Sequence, residues 1–226
     1  GIQWTDSTWN PIRGCSRVSE GCRNCYAETM AARFCDKGQP YYGLAKRTAS
    51  GPRWTGKVKF VPEHLSDPLR WKKPRRIFTN SMSDLFHEKV PFGYIARVFD
   101  VMARAPHHTF QVLTKRAERL AEFCRGVTVP SNVWLGVSVE NRKSGLPRIP
   151  VLRRVNVEVR FLSIEPLLED LGRFDLTGLR WVIVGGESGH KARPMKLEWV
   201  DGIKRQCDAA GVAFFFKQWG GVNKKK

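Results

Sequence analysis

The sequence predicts an α/β protein built on a parallel β/α barrel, TIM-like and full or nearly closed. Three observations carry that prediction. Short, nearly continuous apolar runs recur along the chain, as strands buried on both faces of a parallel sheet require. Helical patterns separate these runs, which is the alternation of βαβ units. Run after run also ends in polar or small residues, and in a barrel such ends gather on one rim, where active sites assemble. A doubly wound open sheet is the rival architecture. No Gly-x-Gly-x-x-Gly or Walker lysine loop follows any run, which removes the strongest signals for dinucleotide or ATP binding.

In chain order, Trp4 to Pro11 reads as a short extended opening, closed by the proline. A cysteine loop spans 14–26. Tyr26, Met30 and Phe34 recur every four residues among helix formers, which predicts a helix starting directly after Cys25. Residues 35–57, with four glycines, two prolines and interleaved Tyr41, Tyr42, Trp54, Lys46, Arg47 and Arg53, read as a long irregular insertion. A loop of that length inside one domain is usually functional or disordered. Strands follow at 58–61, 76–80, 109–114, 133–139, 159–164, 179–184 and 212–216. Helices are expected at 62–71, with Pro62 in its first turn, then at 91–105, 115–123, 150–155 and 197–209. Gly211 stands where a C′ glycine ends a helix. Counting the opening segment gives about eight strands, the number of a closed barrel. The expected organisation is a single domain over 1–226 with a basic tail at 222–226.

The 226 residues suit one sizeable core. Hydrophobic content of 42% and charged content of 27% are ordinary globular values. No apolar run reaches the roughly 18 residues that span a bilayer, and the first residues lack a signal-peptide pattern, so a cytoplasmic location is expected and no membrane partner. Charge is less ordinary. Lysine plus arginine is 39 against 21 acidic residues, a balance of +18. The terminal Lys224, Lys225 and Lys226 account for only 3 of it. Such an excess favours a polyanionic partner, because each neutralised phosphate releases counterions. A nucleic acid, DNA or tRNA, is the expected partner; a solvated basic surface is the rival.

Three of the six cysteines, Cys15, Cys22 and Cys25, fall in one loop with C-x6-C-x2-C spacing, and glycines precede the first two. Thiolates select zinc, Cu(I) or iron–sulfur over hard ions. A structural zinc site wants four protein ligands, as does an ordinary cluster held wholly by thiolates. A three-thiolate [4Fe-4S] cluster instead leaves one iron free, and S-adenosylmethionine (SAM) is the radical cofactor that would use it. Two readings compete: Cys35 as a fourth ligand to zinc, and a disulfide or thiols that are merely structural. Cys124 and Cys207 lie on predicted helix faces as small buried hydrophobes.

Candidate site residues come from the strand ends. Glu165, beside Pro166, and Glu187, after Gly185 and Gly186, are placed to accept hydrogen bonds from an amino group or ribose hydroxyls, with the glycines letting backbone approach a ligand. Ser163 and Ser188 accompany them. Lys217 is placed to hold a carboxylate or phosphate, and Asp84 to line the substrate side; each has a salt bridge or a cap as its bland alternative. Asn80, Ser81 and Gln111 are further lining candidates.

The residues Trp4-Thr5-Asp6, Thr8-Trp9-Asn10-Pro11, Gly14-Cys15, Gly21-Cys22, Cys25-Tyr26-Ala27-Glu28, Trp54-Thr55-Gly56, Ser163-Ile164-Glu165-Pro166, Val184-Gly185-Gly186-Glu187-Ser188-Gly189 and Lys217-Gln218-Trp219-Gly220 resemble the phage Gp37/Gp68 family of uncharacterised proteins, from Gln3 to Gly220. That family is grouped with the radical SAM superfamily, so the resemblance implies a radical SAM-like full or partial barrel with Cys15, Cys22 and Cys25 as cluster ligands. The commonest superfamily spacing is C-x3-C-x2-C with an aromatic before the last cysteine. Here the first gap is six residues, Asn24 takes the aromatic position, and Tyr26 is the ring left to cover the adenine. Together these readings lead to a radical SAM-type enzyme that modifies or repairs a nucleic acid or nucleobase, served by an electron donor protein. Glu165, Glu187 and Ser188 are its expected SAM contacts. The alternative is a zinc-stabilised nucleic-acid-binding module.

Overall fold

The computed structural model describes residues 2–222; residues 223–226 of the expected basic tail lie outside the described residues. The chain opens with β1 (Ser7–Trp9) and β2 (Ile12–Arg13), passes through a 3-10 turn at Glu20–Cys22, and forms α1 (Tyr26–Arg33). Next come β3 (Ala45–Thr48), β4 (Gly51–Trp54), β5 (Lys59–Phe60), α2 (Asp67–Arg70) and β6 (Arg76–Thr79). A regular alternation follows: α3 (Phe92–Ala103), β7 (Thr109–Thr114), α4 (Ala117–Cys124), β8 (Val133–Ser138), α5 (Arg148–Arg153) and β9 (Val159–Ile164). The chain ends with β10 (Trp181–Gly185), α6 (Leu197–Ala210) and β11 (Ala213–Gln218).

Seven strands form one parallel sheet in the order β1-β6-β7-β8-β9-β10-β11, curled into a half-barrel. The order never reverses, so the sheet lacks the switch point of a doubly wound fold and winds in the TIM-like sense. It carries one strand fewer than expected. The strand at 58–61 is β5, which pairs antiparallel with β2 in a separate two-stranded ribbon. Among the described residues β1 and β11 are the two ends of the seven-strand order. The expected helix at 62–71 is also interrupted: a 3-10 turn at Pro62–His64 and the single turn of α2 replace it, because Pro68 has no N–H to continue a ladder. Residues 35–57, read as irregular, contain the β3–β4 hairpin.

Each side of the sheet has its own core. On the helix side Ile77, Phe110, Val112, Leu135, Val137, Leu162, Val182 and Val184 pack against Ile95, Val98 and Met102 of α3, Leu120 of α4, Leu152 of α5 and Ile203 of α6. Each such fully buried side chain contributes about 1.5–3 kcal/mol. The concave side is plugged by Trp4, Phe78, Phe161 and Ile183, with Leu113, Trp134, Trp181 and Phe215 packed on them. Trp4 lies 4.7 Å from Phe78 and 5.9 Å from Trp181, ring centre to ring centre. Gly136 makes room for this plug: a Cβ there would stand 2.5 Å from the Phe161 ring. Strand alternation places Ser163, Gly185 and Lys217 two residues beyond Phe161, Ile183 and Phe215, on the concave face and nearer the rim. Gly211 ends α6 in the left-handed conformation, φ 64°, as expected. No helix among the described residues is long and apolar enough to cross a membrane.

Candidate functional site

The cysteine loop is bound to the sheet by partners from distant parts of the chain. Gly14, at φ +91°, lies so close to the Lys57 carbonyl that a Cβ would sit 2.3 Å from its oxygen. Arg17 is fixed by Glu28 of α1, its Nε 3.2 Å from both carboxylate oxygens, and Glu28 also accepts the Trp54 N–H at 2.7 Å. Gly21 lies flat against the buried Glu140, where a Cβ would meet Glu140 Cγ at 2.9 Å. That closeness explains the glycine before Cys22. Glu140 is itself paired with Arg148 at 2.7 Å. Asn24 donates to Glu187 Oε2 at 2.9 Å and to the Lys191 carbonyl. Cys25 then caps α1, and Tyr26 sends its hydroxyl to the Ser81 carbonyl at 2.8 Å.

Cys15, Cys22 and Cys25 are free thiols that act on one another electrostatically. Burial, with the Asp84 carboxylate beside it, pushes the Cys15 thiol up to about 12; Arg116 offsets part of this. Burial likewise raises Cys25, while the Glu28 N–H and the Lys115 charge oppose it. Arg116 Nη1 stands 3.9 Å from Cys15 Sγ and 2.9 Å from Asp84. Its Nη2 donates to Ser16 Oγ at 2.9 Å and its Nε to Glu88 at 2.7 Å. His87, held neutral by burial and by the Arg116 charge, accepts the Lys89 N–H at Nδ1. Its Nε2 therefore donates to Ser16 Oγ, 2.9 Å away. Among the described residues no group of three or more His, Cys, Asp or Glu stands close enough to hold a single metal ion. Cys35 lies past the opposite end of α1, with its thiol directed to the Ala32 carbonyl. The eight-residue helix, about 12 Å long, separates it from Cys25.

The other sequence-derived candidates fall into two groups. Glu165, Lys217, Ser163 and Gly185 share the concave face. Lys217 Nζ lies 2.6 and 2.8 Å from the two Glu165 oxygens, both side chains partly open to solvent. The Glu165 charge also acts on the Tyr26 hydroxyl. The second group is engaged in holding structure. Glu187 accepts four hydrogen bonds, from Asn24 and from the N–H, Nε and Nη2 of Arg193. Burial raises its pKa, but these bonds outweigh burial and hold it below the usual carboxylate range. Asp84 accepts from Thr114, from Arg116 and from the N–H groups of Phe86 and Lys115. Ser188 accepts from Gln218 at 2.7 Å. Gly186 is needed by packing, since a Cβ would sit 1.8 Å from the Trp219 carbonyl oxygen.

Sequence reasoning gave Arg116, Glu28, Glu140 and Arg193 no part in holding the loop that it found, which all four do. Their only local signal is a charge beside or within an apolar pattern; the partners are remote in sequence. In the insertion, Tyr41 lies under Arg13 and against Trp54 of the hairpin, and Arg47 pairs with Asp36. Tyr42 is 60% exposed, which leaves it the freest aromatic of the insertion.

Over residues 1–226 the chain matches a family model described as protein of unknown function, DUF5131. No match is found among curated proteins or among solved structures.

Proposed function

We propose, for a chain that belongs to the DUF5131 family, a radical SAM-type enzyme that modifies or repairs a nucleic acid or nucleobase. The observation that carries this reading is the convergence of Cys15, Cys22 and Cys25 within electrostatic reach of one another, while Cys35 sits beyond the far end of α1. Each iron of a [4Fe-4S] cluster takes one thiolate, so three cysteines carried on one loop would serve as its ligands. A four-cysteine zinc site would need Cys35 brought across the length of α1, and the geometry speaks against it.

Cys15, Cys22 and Cys25 would hold the cluster, and Arg116 and Lys115 would balance its negative charge. A three-thiolate [4Fe-4S] cluster supplies, when SAM is bound, one-electron cleavage of SAM and hydrogen abstraction from the substrate, with the electron coming from a donor protein. The chain's own residues do the rest. Glu187, through Asn24 and Arg193, fixes the loop between Cys22 and Cys25. Asp84 orients Arg116 toward Cys15. Glu165 and Lys217 present an acceptor and a cation to whatever enters the concave face, and the charges of both Glu165 and Cys25 act on the Tyr26 hydroxyl. The +18 balance and the exposed Tyr42 and Lys46 on and beside the hairpin suit a polyanion carrying stackable bases.

Iron and sulfide analysis of anaerobically purified protein tests this. About four of each per chain are expected, retained in Cys35→Ala and lost in Cys15→Ala, Cys22→Ala or Cys25→Ala. Tightly bound zinc that is lost equally in Cys35→Ala would overturn the reading.

A further inference from the structure

Helix α1 is amphipathic in the reverse of the usual sense. Its sheltered face carries Ala27, Glu28, Ala31 and Ala32. Its bulky apolar side chains, Tyr26, Met30 and Phe34, face outward and are 47%, 40% and 46% exposed. The four-residue recurrence that marks this helix in the sequence is therefore its outer face, whereas a helix laid on a core buries such a stripe. The small inward residues suit a close approach to the β3–β4 hairpin, and Glu28 is held inside by Arg17 and the Trp54 N–H. Packing within the chain gives no account of the outward stripe.

Exposed apolar side chains that occur singly are ordinary. These are gathered: of seven exposed large apolar residues among the described residues, five (Val18, Tyr26, Met30, Phe34 and Tyr42) lie between 18 and 42. The Tyr41 N–H donates to the Phe34 carbonyl at 3.0 Å, which sets Tyr42 beside the end of α1. At the other end Tyr26 follows Cys25, and the charges of Cys25 and Glu165 act on its hydroxyl. The stripe thus runs from the hairpin side to the edge of the concave face. Charge on the same segment has one sign left over. Its exposed acids are engaged, Glu20 by Arg193 at 3.6 Å and Asp36 by Arg47 at 2.8 Å. Arg23, Arg33 and Lys37 are exposed and form no ion pair among the described residues. Arg33, three residues beyond Met30 and seven beyond Tyr26, shares the face of the stripe.

We propose that the outer face of α1 is a track for single-stranded nucleic acid, leading from Tyr42 past Phe34 and Met30 to the concave site at Tyr26. Flat apolar side chains set among unpaired cations are what an unpaired strand needs: its bases stack on the former and its phosphates meet the latter. In a duplex the base faces are already stacked on one another, so the occupant is a single strand. A protein partner fits less well, because a stable interface buries about 800 Å² on each side and the stripe is a single file of side chains on a helix about 12 Å long. The proposal deepens the functional reading above and rests on it for a nucleic-acid substrate; it adds the strandedness of that substrate and the path by which it reaches the site.

The test is fluorescence anisotropy with a short labelled oligonucleotide, single-stranded or annealed to its complement, titrated at several salt concentrations. The proteins are the native chain, Phe34→Ala, Phe34→Trp, Arg33→Gln and, as a control for an exposed apolar residue elsewhere, Leu197→Ala. Phe34→Ala is expected to bind the single strand about tenfold more weakly with its salt slope unchanged, and Phe34→Trp to bind at least as well as native protein. Arg33→Gln should lower the slope by about 0.7, the share of one phosphate contact on a single strand. Leu197→Ala should bind as native protein does. Melting temperatures should be unchanged throughout, since every altered side chain faces solvent. Single-strand binding that Phe34→Ala and Arg33→Gln share with native protein overturns the track and leaves the functional reading standing. Duplex binding that is equally strong and equally sensitive to Phe34→Ala overturns the assignment to a single strand. No binding by native protein at low salt overturns the track and the nucleic-acid reading together. Sedimentation velocity on the same samples covers the remaining occupant: self-association that Phe34→Ala abolishes makes the face a contact between copies and overturns the proposal.

Discussion

Changing Glu187 to Gln separates a loop-holding role from a SAM contact. Glu187 is 4% exposed and receives four hydrogen bonds, three of them from Arg193. Glutamine keeps the volume and one acceptor but leaves the Arg193 guanidinium without its counter-charge. Removing one partner of a buried pair costs about 3–5 kcal/mol. Arg193 is 25% exposed and retains Glu20 at 3.6 Å, so solvent screening lowers the expected loss to about 2–3 kcal/mol. For a chain of this size that is a fall in melting temperature of about 5–10 °C, read by circular dichroism. The Asn24 and Arg193 contacts hold the loop on either side of Cys22, so iron content should fall as well. The cycle with Arg193→Met should show coupling, because the two residues act as a unit. An unchanged melting temperature and full iron, with SAM binding weakened, would refute the loop-holding role and restore Glu187 as a ligand contact.

Three further outcomes are expected. Gly136→Ala forces a methyl into the Phe161 ring and should destabilise the protein by about 1–3 kcal/mol through overpacking, seen as a lower denaturation midpoint. Tyr42→Ala should cost about 1–3 kcal/mol in single-strand binding with little change in salt dependence, whereas Lys46→Gln should weaken every sequence and reduce the salt slope by about one unit; fluorescence anisotropy at several salt concentrations distinguishes them. Asp6, held down to about 2 chiefly by its hydrogen bonds with Arg76, should titrate near that value by NMR and move toward about 3.9 in Arg76→Met. Its pKa is depressed on folding, so its stabilising effect is complete above about 3.9 and disappears as the pH falls toward 2.

Most of the sheet was legible because strands buried on both faces write themselves as apolar runs. β7, β8, β9 and β11 fall within about two residues of expectation for that reason. β5 was read as a barrel strand because a two-residue ladder carries no mark of which sheet it joins. The β3–β4 hairpin escaped because Ala-Lys-Arg-Thr and Gly-Pro-Arg-Trp lack apolar alternation and draw their order from α1 instead. In the site, cysteine spacing located the loop and strand ends located Glu165, Glu187 and Lys217. What those carboxylates do was hidden, since Asn24 and Glu187 meet across 163 residues and no local pattern encodes such a pairing.

That β1 and β11 end the sheet without pairing with each other bears on access. A closed ring of strands admits a ligand along its axis alone, so a substrate must be small or present a free end. An arc is also open along its flank, between the first and last strands of the sheet. β11, with Phe214, Phe215, Phe216 and Lys217 all only partly covered, is one margin of that opening. For the nucleic-acid substrate proposed above, a residue in the middle of a long polymer would approach from the side there, its neighbours running past on both sides, without any chain being threaded through the protein.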